Sequence, residues 1–286
     1  MKALAQFVMR GPAQAVGVAA LTSALPLLFW VSAAVVALVV LRVGVSGGLN
    51  VALWAILPAL GWTLVGQDPT GLSVLLGATA MAMVLRSTAS WERTLCAGAG
   101  VSLLLGLLVP LVLPGLFDQL VQVGAEVLQR FDPETGDLQG AELEAVARNI
   151  MLASLAVSQF AIAIASVMLG RSWQAKLYNP GGFGREFQAF RLSWPVAAGL
   201  AVLMVLLPML GFSSLLSVSI LGTPLVLGGV ALVHGVVNAR GLSGGWLVGF
   251  YLLILVLGPS LLLLLVLLAI IDSWVDIRSR IRPSNP

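Results

Sequence analysis

The sequence predicts an all-α, polytopic integral membrane protein with about 8–10 transmembrane helices and both termini cytoplasmic. Three observations carry that reading. The 286 residues are 59% hydrophobic, and several apolar stretches approach the ~20 residues that span a bilayer. Those stretches do not alternate apolar with polar, so in lipid they form helices rather than barrel strands. The few charged residues, 9% of the chain, fall between the stretches, and their signs segregate.

In chain order, residues 1–10 read as a short interfacial helix, with Leu4, Phe7 and Val8 apolar and Lys2 and Arg10 flanking. Lys2 and Arg10 before an apolar stretch mimic a signal peptide. The stretch runs past any cleavage point, so a retained first helix is expected. Apolar runs follow at 11–41, 49–66, 70–86, 94–116, 149–170, 195–238 and 244–271, in a single membrane domain spanning 1–286. Two polar segments interrupt them. Segment 117–148 reads as an acidic extracytoplasmic helical hairpin, with Phe117, Leu120, Val121, Gly124, Val127, Leu128 and Phe131 at helical spacing. Segment 171–194 reads as a basic cytoplasmic loop, and 272–286 as a cytoplasmic tail.

Loop charge sets the orientation. Thirteen of the 15 Lys and Arg fall inside if the N-terminus, the Arg42, Arg86/Arg93, Arg171–Arg191 and Arg240 loops and the tail (Arg278, Arg280, Arg282) are cytoplasmic. Only Arg130 and Arg148 then lie outside, together with Asp68, Asp118, Glu126, Asp132, Glu134, Asp137, Glu142 and Glu144. This arrangement requires runs 11–41 and 244–271 each to fold as two crossings, breaking at Ala24–Pro26 and at Gly258-Pro259-Ser260. Each half is then only about 20 Å long, short of a ~30 Å hydrocarbon core. The alternative is one kinked helix per run. Positive residues confined to short loops between spans exclude nucleic acid as a partner; the lipid bilayer is the partner the composition requires.

The Gly170–Phe187 stretch concentrates Arg171, Trp173, Lys176, Tyr178, Asn179, Pro180, Gly181, Gly182 and Arg185, with Arg191 just beyond. Its glycines permit exposed backbone N–H groups among cations, a pattern that suits a phosphate, an anionic headgroup or a protein partner. A rigid topology-setting connection is the plainer alternative. Asp272 and Asp276, one turn apart, require cations nearby; Arg278 and Arg280, with the 171–191 segment, make a cytoplasmic ion-pair network the expected answer rather than a proton relay. His234, the single histidine, reads as an interhelical hydrogen-bonder. Gly241-Leu242-Ser243-Gly244 imitates a rhomboid-protease serine motif, but no histidine follows Ser243 to activate it. Asp132, Glu134 and Asp137 lack the rest of an EF-hand ligand set. Neither a catalytic centre, a metal site nor a cofactor is expected. Cys96 stands alone, so no internal disulfide forms. Gly11, Ala15, Ala19 and Ser23 recur every fourth residue, as on a face that admits close helix approach.

Trp173–Tyr178 with Asn179-Pro180-Gly181-Gly182-Phe183, and Asp272…Asp276-Ile277-Arg278, resemble the YybS-like family of bacterial membrane proteins, most closely its pseudomonad-type branch. That family is distantly similar to the substrate-binding S-components of energy-coupling-factor transporters and to the rod-shape protein MreD. The resemblance implies a bacterial inner-membrane location and a fold without implying an activity. S-components dock on a coupling protein through an Ala-x-x-x-Ala face, which Ala15 and Ala19 match, while the long 117–148 segment departs from them. Two expectations follow: a small-molecule binding or transport component with a coupling partner, or a scaffold with an envelope-protein partner. Neither is an enzyme.

Overall fold

The computed structural model describes residues 2–131 and 138–280, which form thirteen α-helices and no strand among those residues. The break expected at 132–137, with its carboxylates, and Arg282 lie outside the described residues.

Helix α1 (Lys2–Val8) buries Ala5 and Val8. Helix α2 (Pro12–Ala24) starts on a proline and buries Ala15, Ala19 and Ser23. Pro26 and a left-handed Leu27 (φ 63°) then turn the chain into α3 (Phe29–Arg42). Every residue from Val31 to Leu41 is buried, as a helix apolar all round must be, and α3 forms the centre of the molecule. Around it pack α2, α4 (Val45–Leu64), α5 (Thr70–Thr88) and α8 (Ala141–Tyr178). Hydroxyls tie the interior: Ser23 donates to the Ala55 carbonyl at 2.7 Å and Ser32 to the Ala19 carbonyl at 2.8 Å. α6 (Trp91–Val112), capped by Ser90, lies against α5 and α8.

α7 (Pro114–Phe131) and the start of α8 form the expected hairpin, meeting through Phe117, Val121 and Ala147. At 38 residues, α8 is about 57 Å long, well beyond the ~30 Å of a hydrocarbon core. Beyond it come α9 (Gly182–Ala189), bent 64° from α10 (Trp194–Met209), then α11 (Ser214–Ala239), α12 (Gly245–Leu257), α13 (Pro259–Val275) and a single 3-10 turn at Arg278–Arg280.

Contacts fix the direction of each helix. A Cβ at Gly170 would meet Ala34 and Leu38, and Gln174 reaches the Leu41 carbonyl, so α8 runs parallel to α3. Gly229 lies against Leu265 and Gly235 against Arg278, so α13 runs parallel to α11, and α12 must run back between them. Pro12 and Ala15 share a cavity wall with Val39 and Val43, so α2 and α3 are antiparallel, and runs 11–41 and 244–271 each fold as two antiparallel passes. Ten segments shuttle between two faces: α2–α6, α8 and α10–α13. Five of them (α4, α5, α6, α8 and α11) are each long and apolar enough to cross a membrane. The other five have 13–17 residues. One face gathers Arg42, Arg86, Arg93, Arg171, Lys176, Arg185, Arg191, Arg240, Arg278 and Arg280; the other carries Asp68, Asp118, Glu126, Glu142 and Glu144.

Candidate functional site

The basic face is a braced platform rather than a loop. No helix breaker precedes Asn179-Pro180, so α8 continues through Arg171–Tyr178. Gly181 adopts a left-handed φ of 80°, turning the chain so that Gly182 N–H reaches the Asn179 carbonyl (2.9 Å) and α9 begins. α9 is amphipathic: Arg185 is exposed, while Phe183 and Phe187 turn inward.

An aromatic ladder holds α9 in place. Phe183 meets Trp91 edge-on with centroids 6.2 Å apart and stacks on Phe187 at 6.2 Å; Phe187 meets His234 at 5.3 Å. His234 Nε2 then hydrogen-bonds the Tyr251 hydroxyl at 2.8 Å, linking α11 to α12 as an interhelical bond. Ion pairs complete the bracing. Arg171 grips Glu186 through two nitrogens, one at 2.9 Å from the carboxylate. Arg191 pairs with Asp276 at 3.1 Å and Arg278 with Asp272 at 3.3 Å. Arg278 Nη1 also donates to the Gln188 carbonyl at 2.6 Å, and Asp272 Oδ1 accepts from Ile277 N–H at 2.9 Å. Burial lowers the Arg278 guanidinium from its ordinary value and neighbouring Asp272 opposes that, leaving it cationic.

Of the expected network of Asp272, Asp276, Arg278 and Arg280, only the Asp272–Arg278 pair forms; Asp276 meets Arg191, and Arg280 makes no ion pair among the described residues. α13 ends at Val275 and Asp276 is left-handed (φ 49°), so Asp276 leaves the Asp272 face and meets Arg191. Arg280 instead donates to the Val275 carbonyl at 3.1 Å.

Between these braces lies a cavity of about 560 Å³, lined by Arg86, Trp91, Glu92, Arg171, Gln174 and Arg191 among others. Arg86 donates to the Val40 and Leu41 carbonyls (3.1 and 2.8 Å) and Gln174 to the Leu41 carbonyl (3.0 Å), satisfying the end of α3. Glu92 accepts from the Ser193 N–H, fastening the start of α10 to α6. The Trp91 indole N–H is buried and has no hydrogen-bond partner among the described residues.

The sequence candidates therefore divide. Arg171 and Arg191 line the cavity; Lys176, Asn179, Pro180 and Arg185 are exposed beside it. Tyr178 lies under the Arg42 guanidinium, 3.8 Å from its ring centroid. Gly182 is buried in the turn, and Trp173, 1% exposed, is a core residue rather than a contact. The proposed docking face is occupied from within: Ala15 and Ala19 are 2% and 0% exposed, and Gly11 is partly covered. Arg86, Trp91, Glu92, Phe183, Phe187 and Tyr251 are site residues the sequence reading missed. Ser90-Trp91-Glu92, an N-cap followed by a first-turn acid, was the available signal for the α6 start that carries two of them.

On the opposite face, a cavity of about 520 Å³ lies between α7 and α8, lined by Asp118, Gln122, Glu126, Glu144 and Arg148 among others. Arg148 bridges Asp118 (3.0 Å) and Glu144 (3.4 Å).

Fold and charge define the class: a polytopic all-α membrane protein with one basic and one acidic face. No family model, curated protein or solved structure matches this chain.

Proposed function

We propose that the protein is a scaffold of the bacterial inner membrane that presents its basic face to an acidic cytoplasmic partner. The braced platform carries this reading. Its internal pairs use Arg171, Arg191 and Arg278, while Lys176, Arg185 and Arg93 stand exposed and make no ion pair among the described residues. Fixed, outward cations lower the ordering cost of association and select partners by charge. The positive-inside rule orients that face toward the cytoplasm.

A photoreactive residue at Tyr178, between Lys176 and Arg185, tests the proposal. The expected outcome is a salt-sensitive cross-link to an acidic envelope-assembly protein, reduced at least ~10-fold by Lys176→Glu with Arg185→Glu. Cross-links to lipid alone, or a yield indifferent to charge reversal, would overturn it.

A small-molecule binding component is the second reading, favoured by the outer cavity under the α7–α8 hairpin. Its coupling partner would dock elsewhere than Ala15 and Ala19, which the chain itself covers. Retention of a metabolite by the purified protein, lost on Gln122→Trp, would support this reading over the scaffold.

A further inference from the structure

α12 stands apart from the rest of the molecule. None of its residues is buried, and the 241–244 turn and the His234–Tyr251 bond tether it to α11. Between the two helices runs a groove of about 740 Å³, lined by Val233, Val237, Trp246, Gly249, Leu253 and Val256 among others, with Ser243 at its basic-face end. Val233 and Val237 line the groove from α11, and Arg240 follows Val237 by three residues, leaving the helix on the same side. Arg240 is exposed and makes no ion pair among the described residues. The apolar slot thus opens, at its basic-face end, beside the turn that carries Arg240.

We infer that this groove seats one anionic phospholipid, its acyl chain along Val237, Trp246 and Leu253 and its phosphate at Arg240. An acyl chain gains little hydrophobic free energy by leaving a bilayer as apolar as the groove, so the slot supplies shape and Arg240 supplies selectivity. A partner's transmembrane helix would fill the slot without engaging Arg240 unless it brought an acid to the same depth. A phospholipid phosphate reaches that depth by its nature. The expected preference for anionic over zwitterionic lipid is about five-fold, equivalent to ~1 kcal/mol for one basic residue at the surface.

Native mass spectrometry of the whole chain, released from nanodiscs with equal parts phosphatidylglycerol and phosphatidylethanolamine, tests this. One retained lipid per protein is expected, with phosphatidylglycerol favoured about five-fold. Arg240→Gln should erase the preference and leave a lipid bound. A Cβ at Gly249 meets nothing within 4 Å, so Gly249→Leu extends into the groove and should abolish retention. The inference is overturned by a wild type without headgroup preference, by a preference that survives Arg240→Gln, by retention that survives Gly249→Leu, or by a dimer that Gly249→Leu dissolves. Should Gly249→Leu fail to accumulate, Arg240→Gln, a surface change, still decides.

Discussion

Asp272 is the only charged residue among those described that is fully buried, its side chain 2% exposed. A lone buried carboxylate would be costly, and two contacts relieve it: Arg278 at one oxygen and the Ile277 N–H at the other. Asp272→Asn leaves Arg278, 15% exposed, without a counter-charge. We predict a loss of about 3 kcal/mol, at the low end for a broken buried pair because Arg278 keeps the Gln188 carbonyl. Asp272→Asn with Arg278→Met should recover most of it, since two apolar or neutral partners leave no buried charge. Thermal unfolding in detergent measures both; a double variant no better than the single would show that the charges are not a pair. The sequence pointed to cations for Asp272 and Asp276, and Arg278 and the 171–191 segment supply them, while Arg280 does not. It did not show which met which, because helical periodicity stops predicting neighbours where α13 stops, at Val275. Ala15 and Ala19 were misleading for another reason: a small-residue face looks the same in sequence whether it packs against another protein or against α3 and α4.

Among the helices, sequence legibility followed hydrophobic pattern and failed where charge was taken for a loop. The breaks at Pro26 and Pro259 fell where proline and glycine placed them. Segment 171–194 was misread because its arginines and lysine suggested solvent, although nothing between Arg171 and Tyr178 forbids a helix and the residues that pack there, Trp173 and Ala175, were visible. The register of helix against helix was beyond the sequence, since it depends on which of 31 glycines face a neighbour. Gly229 is one: a Cβ there would lie 2.5 Å from the Leu265 carbonyl oxygen, backbone that cannot swing aside. Gly229→Ala should therefore push α13 off α11 and cost about 1–3 kcal/mol, despite alanine's better helix propensity. Gly100→Ala in α6, where a Cβ meets nothing within 4 Å, should be neutral or stabilising by up to ~1 kcal/mol. Equal effects of the two substitutions on thermal unfolding would mean that close approach does not hold α13.

The molecule as a whole is a stack of reversals, and the short segments decide its topology. Charge favoured ten passes and length favoured eight. The structure shows how a short pass is accommodated where neighbours shield it: α3, with 14 residues, is buried along nearly its whole length, so it needs no full bilayer's worth of apolar surface. α12 has no such cover, with Leu255 81% and Val256 77% exposed, and a 13-residue pass there asks the bilayer to thin or the helix to rely on bound lipid. The two reversals that create these passes can be read directly. Leu27 is 82% exposed at the α2–α3 turn, and Val43 is 60% exposed at the other end of α3. With Cys96 changed to serine, Leu27→Cys should react with a membrane-impermeant maleimide from the acidic side and Val43→Cys only from the basic side. A single kinked helix through 11–41 would hold residue 27 at mid-membrane, where the reagent cannot reach it. Labelling of both positions from one side would mean that α3 does not cross. The same pairing of Leu257→Cys, 48% exposed, with Leu242→Cys, 41% exposed, tests the second reversal. Failure at 257 alone would leave α12 and α13 as one interrupted helix, with the C-terminal ion pairs then on the acidic side, where Arg191 could not meet Asp276.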